Sequence, residues 1–250
     1  MIRTAWIYFY AGLLVVGTIF KLNQIKRIIR RNPEKVTEED IFMTPKSVSR
    51  KVIKKTGSTV IVKGKENLPK DAALFVANHQ GLFDILAMLG YLDKPIGFIA
   101  KQEIKKLPII STWMELVHCV FIDRTNRRQS MKAINKGIEY LKQGYSMVVF
   151  PEGTRGNGRE INEFKSGSFR LATKSKVPIV PVTINGTFPI LEENGKIQES
   201  TISLRIHKPI DVEEYQELKS SELAEKVQHL VEEGMASLNE NDETKEKIGV

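Results

Sequence analysis

A single cysteine, Cys119, among 250 residues excludes an intrachain disulfide, so nothing calls for an oxidising compartment and a reducing cytoplasm is the expected setting. The sequence also lacks a G-x-S-x-G nucleophile elbow, a G-x-x-x-x-G-K-[ST] phosphate loop, a G-x-G-x-x-G turn after an apolar strand, an H-E-x-x-H pair and a C-x-x-C pair. Serine hydrolases, Walker-type nucleotidases, dinucleotide enzymes and zinc proteins are set aside with them. There is no internal repeat and no low-complexity tract. With 41% hydrophobic residues the chain has enough apolar material for a sizeable core, which excludes disorder, collagen and a small stapled scaffold.

What is there is a charge pattern. Lys plus Arg number 38 against 30 Asp plus Glu, a formal net charge of +8, which points to an anionic partner such as nucleic acid, a membrane surface or a phosphorylated substrate. Residues 21–55 hold eleven basic and four acidic side chains, a local net of +7, whereas residues 211–250 hold twelve acidic side chains and four lysines, a local net of −8. Directly before the basic stretch, residues 5–20 (AWIYFYAGLLVVGTIF) carry no charge. As a helix this run is about 24 Å long at ~1.5 Å per residue, short of the roughly 30 Å of bilayer hydrocarbon. Extended over residues 2–22, with Arg3 and Lys21 snorkelling, it just reaches across. Length alone leaves spanning and entry into one leaflet both open. No small-x-small site closes the run, which argues against a signal peptide. The positive-inside tendency places the basic stretch on the cytoplasmic side, where anionic headgroups suit it. Residues 45–55, with Val48, Val52 and Ile53 among Lys46, Arg50, Lys51, Lys54 and Lys55, read as a second, surface-lying amphipathic helix.

Beyond Gly57 the texture changes to short β-rich runs alternating with helical patterns. Residues 59–62, 73–76, 96–99, 120–122, 147–150 and 179–182 read as strands, mostly apolar on both faces, the pattern of a buried, largely parallel sheet. Residues 82–92, 130–143 and 167–174 read as covering helices. The end of the chain reads as an amphipathic helix from about Ser220 through Leu238, then a frayed charged tail. The expected fold is α/β, a largely parallel central sheet covered by helices, preceded by an N-terminal helical membrane anchor.

In open α/β sheets ligands bind outside the carboxyl ends of the strands, and three strand ends here carry chemistry. The first is followed by Asn78, His79, Gln80, Gly81, Leu82, Phe83 and Asp84. Imidazole takes a proton from a hydroxyl near neutral pH when a carboxylate fixes its tautomer. His79 and Asp84 fit those roles, but five residues on a regular helix lie about 140° apart, so the pair meets only if His79 sits in the turn before the helix. The bland alternative makes Asn78 a helix N-cap and leaves Asp84 solvated. After residues 147–150 comes Pro151, Glu152, Gly153, Thr154, Arg155. Its Pro and Gly enforce a tight turn that presents backbone N–H groups, the Thr154 hydroxyl and the Arg155 guanidinium to an anion; the alternative is a turn held by a Glu152 to Arg155 contact. Arg124, after residues 120–122, and Lys101, after residues 96–99, could join an anion site or serve as ion-pair partners. Cys119 reads as packed rather than reactive, and His118 is a rival base without a carboxylate in a turn.

In this order, N-H-x-x-x-x-D, F-I-D-R, F-P-E-G-T-R and V-P-I-V-P-V (residues 177–182) resemble the four blocks of the glycerolipid acyltransferases, closest to the bacterial lysophosphatidic acid acyltransferases. The resemblance implies that His79 is the general base supported by Asp84, and that Arg124, Glu152, Gly153, Thr154 and Arg155, with Lys101, shape the acceptor phosphate site. It also implies that residues 177–182 support the acyl pocket. Gly156 departs from the pattern, since many members carry Ser there. The implied reaction moves a fatty acyl group from acyl carrier protein or CoA to the sn-2 hydroxyl of lysophosphatidate, with no further cofactor, no metal and no acyl-enzyme. The implied organisation is residues 1–56 as membrane-anchoring helices and basic stretch, and residues 57–250 as catalytic domain with an acidic helical tail. The expected partners are membrane lipids, the lysophosphatidate acceptor and the thioester donor, not nucleic acid, since a nucleic-acid binder would spread basic and aromatic residues over the folded domain. The expected place is the cell membrane, with the catalytic domain on the cytoplasmic side. Glycerol 3-phosphate or another lysophospholipid as acceptor, and hydrolysis of a lipid phosphate or thioester, are the alternatives.

Overall fold

In a strand buried on both sides, successive side chains enter opposite layers of the core, and the second strand of this chain does so. Leu74 and Val76 face one layer, Phe75 and Ala77 the other, all four without solvent exposure. The computed structural model describes residues 1–123, 125–158 and 160–248, with side chains described as far as residue 238. Among these, the strands are β1 (Thr59–Lys63), β2 (Leu74–Ala77), β3 (Gly97–Lys101), β4 (Val120–Ile122), β5 (Met147–Val149), β6 (Ile179–Asn185) and β7 (Thr201–Ile206). They form one sheet in the order β1-β7-β6-β2-β5-β3-β4. Every pairing is parallel except β6 with β7.

The helices are α1 (Ile2–Gly17), α2 (Ile19–Arg31), α3 (Glu38–Lys55), α4 (Leu82–Tyr91), α5 (Pro108–Leu116), α6 (Arg127–Lys142), α7 (Arg170–Ser175), α8 (Phe188–Leu191), α9 (Val212–Tyr215) and α10 (Ser220–Ile248). On one face of the sheet, Phe75, Phe98 and Phe150 pack with Ile7 of α1, Phe42 and Ile53 of α3 and Met88 of α4. On the other, Val76, Met147 and Val149 pack with Leu141 of α6, Leu171 of α7 and Val227 of α10. The six expected strands are present within a residue or two, except that β6 runs on to Asn185. The acidic tail stays helical beyond Leu238, to Ile248.

The first helices do not project from the domain. Arg3 donates to the Thr56 carbonyl (2.7 Å) and the Ile197 N–H donates to Thr4 Oγ1 (2.9 Å). α1 and α2 meet at Thr18, whose hydroxyl donates to the Val15 carbonyl (2.6 Å) and accepts from Trp113 Nε1 of α5 (2.9 Å). Residues 2–31 are long and apolar enough to cross a membrane by length and composition, and little of their apolar window is buried. The helix expected to lie on a surface over residues 45–55 begins earlier, at Glu38, and turns its apolar face, with Phe42, Val52 and Ile53, into the core instead. Thr37 and Asp40 form a reciprocal capping box at its start, and Pro45 lies inside the helix. Part of the basic stretch is used internally: Lys46 (3.1 Å) and Arg50 (2.9 Å) both reach Asp93. Burial pushes the Asp93 carboxyl up, but Lys65 and Lys46 outweigh it and hold it below the ordinary carboxylate value.

Candidate active site

The turn between β2 and α4 places His79 beside Asp84. Gly81 is the N-cap of α4 and Asp84 its third residue, so the carboxylate turns back over the helix start. One oxygen, Oδ2, accepts the backbone N–H groups of Gln80 (2.6 Å) and Gly81 (2.8 Å) and meets His79 Nδ1 at 2.7 Å. The Thr187 hydroxyl donates to the other oxygen, Oδ1. A carboxylate with no exposed surface and this many donors is held as an acceptor, which fixes the proton on Nδ1 and leaves Nε2 with a free lone pair. The imidazole is only 14% exposed and stacks on Phe150, ring centroids 4.2 Å apart. Asp84 is therefore not the solvated residue of the bland alternative. Nor is Asn78 the helix cap: its amide pairs with both backbone groups of Ile184 (2.8 Å each), tying the end of β2 to β6.

The imidazole borders a cavity of about 390 Å³ whose wall is largely apolar, with Ile85, Phe98, Ile104, Met114 and Phe150, and whose polar edge is Lys101, Thr154 and Arg155. Gly153 lines it too, at φ +76°, where a Cβ would meet the Lys165 ammonium at 2.8 Å. Arg155 donates to Glu192 (3.2 Å), so the turn is not closed by a contact between Arg155 and Glu152. Glu152 instead points inward and is 3% exposed. One of its oxygens accepts the His79 N–H (2.6 Å), the other the backbone N–H (3.0 Å) and side-chain amide (2.8 Å) of Asn162. Burial pushes its carboxyl up, partly offset by the His79 and Asn162 donors. Glu152 thus joins the loop after β5 to the histidine turn and has no oxygen turned to the cavity. The Gly156 N–H, donating to the His79 carbonyl (2.7 Å), makes a second tie.

The structure brings together His79, Asp84, Lys101, Gly153, Thr154 and Arg155; Arg124 lies outside the described residues. Val177 and Pro178 lead into β6 and residues 179–182 are its first part; none of the six lines the cavity, while Val180 and Val182 pack in the same layer as its wall residues Phe98 and Phe150. Sequence reasoning missed the segment just beyond β6. Thr187 reaches Asp84, and Glu192, at the end of α8, accepts the Leu82 N–H (2.8 Å) at the start of α4 while pairing with Arg155. Its other carboxylate oxygen is buried without a partner among the described residues. The rival His118 lies at the amino end of the sheet, where its carbonyl abuts Gly97. It stacks on Tyr145 with centroids 3.5 Å apart, and burial, aided by Lys136, pushes its pKa down to about 4. Cys119 is packed, its thiol raised to about 12 by burial. Among the described residues no three His, Cys, Asp or Glu side chains are grouped to hold a metal ion.

Residues 59–185 match the family model described as acyltransferase. The chain is 38% identical to a 1-acyl-sn-glycerol-3-phosphate acyltransferase of Saccharomyces cerevisiae over 68% of its own length and 58% of the yeast protein's. It is 37% identical to a chloroplastic 1-acyl-sn-glycerol-3-phosphate acyltransferase of Arabidopsis thaliana over 60% of its own length and 43% of the plant protein's. The chain thus spans about half the length of these two relatives. It also superposes on the crystal structure of the 1-acyl-sn-glycerophosphate (LPA) acyltransferase PlsC from Thermotoga maritima, with a TM-score of 0.82, 30% identity and 95% of each chain covered. With its motif blocks, its fold and its histidine–carboxylate turn all in agreement, the chain belongs to the acyltransferase family.

Proposed function

We propose that this protein transfers a fatty acyl group from the thioester of acyl carrier protein or CoA to the sn-2 hydroxyl of lysophosphatidate, forming phosphatidate. The observation that carries the reading is the His79 Nδ1 to Asp84 contact of 2.7 Å, on the edge of an apolar cavity whose polar rim holds Lys101 and Arg155. The named relatives support the choice of acceptor. His79 Nε2 takes the proton of the hydroxyl as its oxygen attacks the thioester carbon. The C–O bond forms, the C–S bond breaks, and the proton passes from the imidazolium to the departing thiolate. Asp84 stabilises the transient imidazolium. The oxyanion falls to donors on the same wall, the backbone N–H groups of Thr154 and Arg155. Arg155, Lys101 and Thr154 hold the acceptor phosphate, with Arg124 as a further candidate, and Gly153 lets the backbone approach. Glu152 positions the histidine turn. These steps call for no metal or redox cofactor.

Lysophosphatidate and phosphatidate reside in the bilayer, so the site belongs at its surface. Residues 1–56 are the anchoring part and residues 57–250 the catalytic part. α1 lies along the domain with its inner side engaged, which suits entry into one leaflet of the cell membrane from the cytoplasmic side, the exposed Lys21, Arg27, Arg30 and Arg31 of α2 meeting anionic headgroups. A labelled acyl thioester supplied to the full-length protein with lysophosphatidate, glycerol 3-phosphate or other lysophospholipids tests the assignment. Labelled phosphatidate from lysophosphatidate is the expected product. Free fatty acid at the same rate with and without acceptor would instead make the protein a thioesterase, and a preference for another acceptor would reassign the substrate.

A further inference from the structure

A transfer between two large substrates needs room for both, and a second cavity of about 380 Å³ lies on the opposite face of the sheet. Its floor is apolar, with Ile122, Val149 and, from α6, Met131 and Ile134, and its rim carries Arg127, Lys165 and Arg170. Among the described residues no acidic side chain lines it. All three cations are exposed, and none is ion-paired to a described residue. Uncompensated cations around an apolar trough suit a ligand with a long neutral body and a phosphate.

The two cavities share part of their walls. The β3–β5 ladder ends at Phe98 and Val148; beyond it Ile99 turns to β4 and Val149 to β2, so the sheet opens at its carboxyl edge. Ile99, Phe150 and Gly153 line both cavities. Gly153 stands in the shared wall, with the Lys165 ammonium 2.8 Å from where its Cβ would be. The faces also differ in what they meet. The histidine cavity is on the side of α1, whose Ile7 shares a layer with Phe98 and Phe150, while the second cavity is on the α6–α7 side. A bilayer substrate would enter beside α1, and a water-soluble one from the other face.

We propose that the second cavity receives the phosphopantetheine arm of the acyl donor, with Arg127, Lys165 and Arg170 on its phosphate and the thioester passing the shared wall at Gly153 to His79. This rests on the acyl-transfer reading above. Acyl carrier protein and CoA share that arm, and the experiment separates them. The double variant Arg127→Ala/Arg170→Ala, made in the full chain, is assayed with acyl-CoA, acyl carrier protein and the phosphate-free acyl N-acetylcysteamine thioester. The expected result is a loss of about ten-fold or more in kcat/KM, mainly through donor KM, for the phosphate-bearing donors, with the lysophosphatidate KM and the phosphate-free donor unaffected. Loss with both natural donors assigns the shared 4′-phosphate; loss with one alone assigns the site to that source. Met131→Trp, which fills the trough without touching the cations, should raise the KM of all three donors. Direct titration with CoA and with holo carrier protein needs no transfer, so binding weakened by the double variant supports the proposal even if phosphatidate is not the product. Equal losses with the phosphate-free thioester, a changed lysophosphatidate KM alone, or unaltered binding of both titrants would overturn it.

Discussion

At the scale of single residues, the site depends on one carboxylate being fully engaged. Asp84 meets His79 only because the chain bends at Gly81 before α4 begins, and its far oxygen is satisfied by Thr187, more than a hundred residues away in sequence. His79→Ala should lower turnover by about 10²-fold or more, the range a general base contributes, with urea stability nearly unchanged. Thr187→Val leaves one Asp84 oxygen without its donor; turnover should drop by roughly ten-fold, as for one lost charged hydrogen bond, and Thr187→Ser should restore it. Full activity in Thr187→Val would show that the imidazole needs no support from the segment beyond β6. His118 and His207 supply a different test. Burial pushes both down to about 4, from an ordinary value of 6.5. Between those pH values the unfolded chain binds more protons than the folded one, so this stability is complete above pH 6.5 and is lost as pH falls toward 4. The urea midpoint should decline across that window, and less steeply in His207→Gln. A midpoint flat from pH 7 to 4.5 would contradict the burial argument. His79, Asp84 and the 151–155 turn were legible because the ordered motif blocks mark them; spacing alone left Asp84 open between a partner of His79 and a solvated residue. Thr187, Glu192 and the inward turn of Glu152 were not, since each depends on where a distant strand end arrives.

At the scale of elements, legibility followed burial. β2, β5 and the start of β6 are apolar on both faces because helices cover both, and uniform apolar runs bounded by turn residues are easy to read. β7 (TISLRI) has an alternating pattern and was missed. Its Ile202, Leu204 and Ile206 are buried, while Arg205 reaches Ser237 of α10 at 2.7 Å, so it reads as a half-solvated edge although it pairs with both β1 and β6. α3 was read too short because Pro45 looks like a helix start. The true start is Thr37, and Pro45 is accommodated inside, where a proline removes one backbone bond at a cost of roughly 3 kcal/mol. The Thr37–Asp40 capping box and the packing of Phe42, Val52 and Ile53 in the core offset it. The V-P-I-V-P-V block shows the converse. Its strand was legible, whereas the contact that the strand delivers, from Thr187 two residues past its end, was not.

At the scale of the whole molecule, α1 is apolar on two sides. Ile7, Ala11 and Leu14 pack inward, while Trp6, Phe9, Leu13 and Val16, continued by Phe20 of α2, form a stripe at three- and four-residue spacing that is more than half exposed, from 51% at Trp6 to 87% at Phe20. A continuous outward apolar stripe next to the exposed basic residues of α2 is poorly suited to water and well suited to a lipid interface. It lies on the same side of the sheet as the histidine cavity, so the membrane association proposed above needs only one orientation to bring both to a bilayer. Half exposed or more, each of these side chains gains about 1–2 kcal/mol on leaving water, and together they outweigh the basic residues, which gain ~1 kcal/mol each near an anionic surface and lose it in salt. The full-length protein should therefore remain on anionic vesicles in high salt and come off only in detergent. The triple variant Phe9→Ser, Leu13→Ser, Phe20→Ser should wash off with salt, keep its urea midpoint, lose transfer on vesicles and retain it on acceptor dispersed in detergent. Ile7→Ser, on the inner side of the same helix, should instead lower the urea midpoint, because that side chain is 2% exposed and belongs to the core. A triple variant still bound in high salt would mean that the outward stripe of α1 is not what meets the membrane.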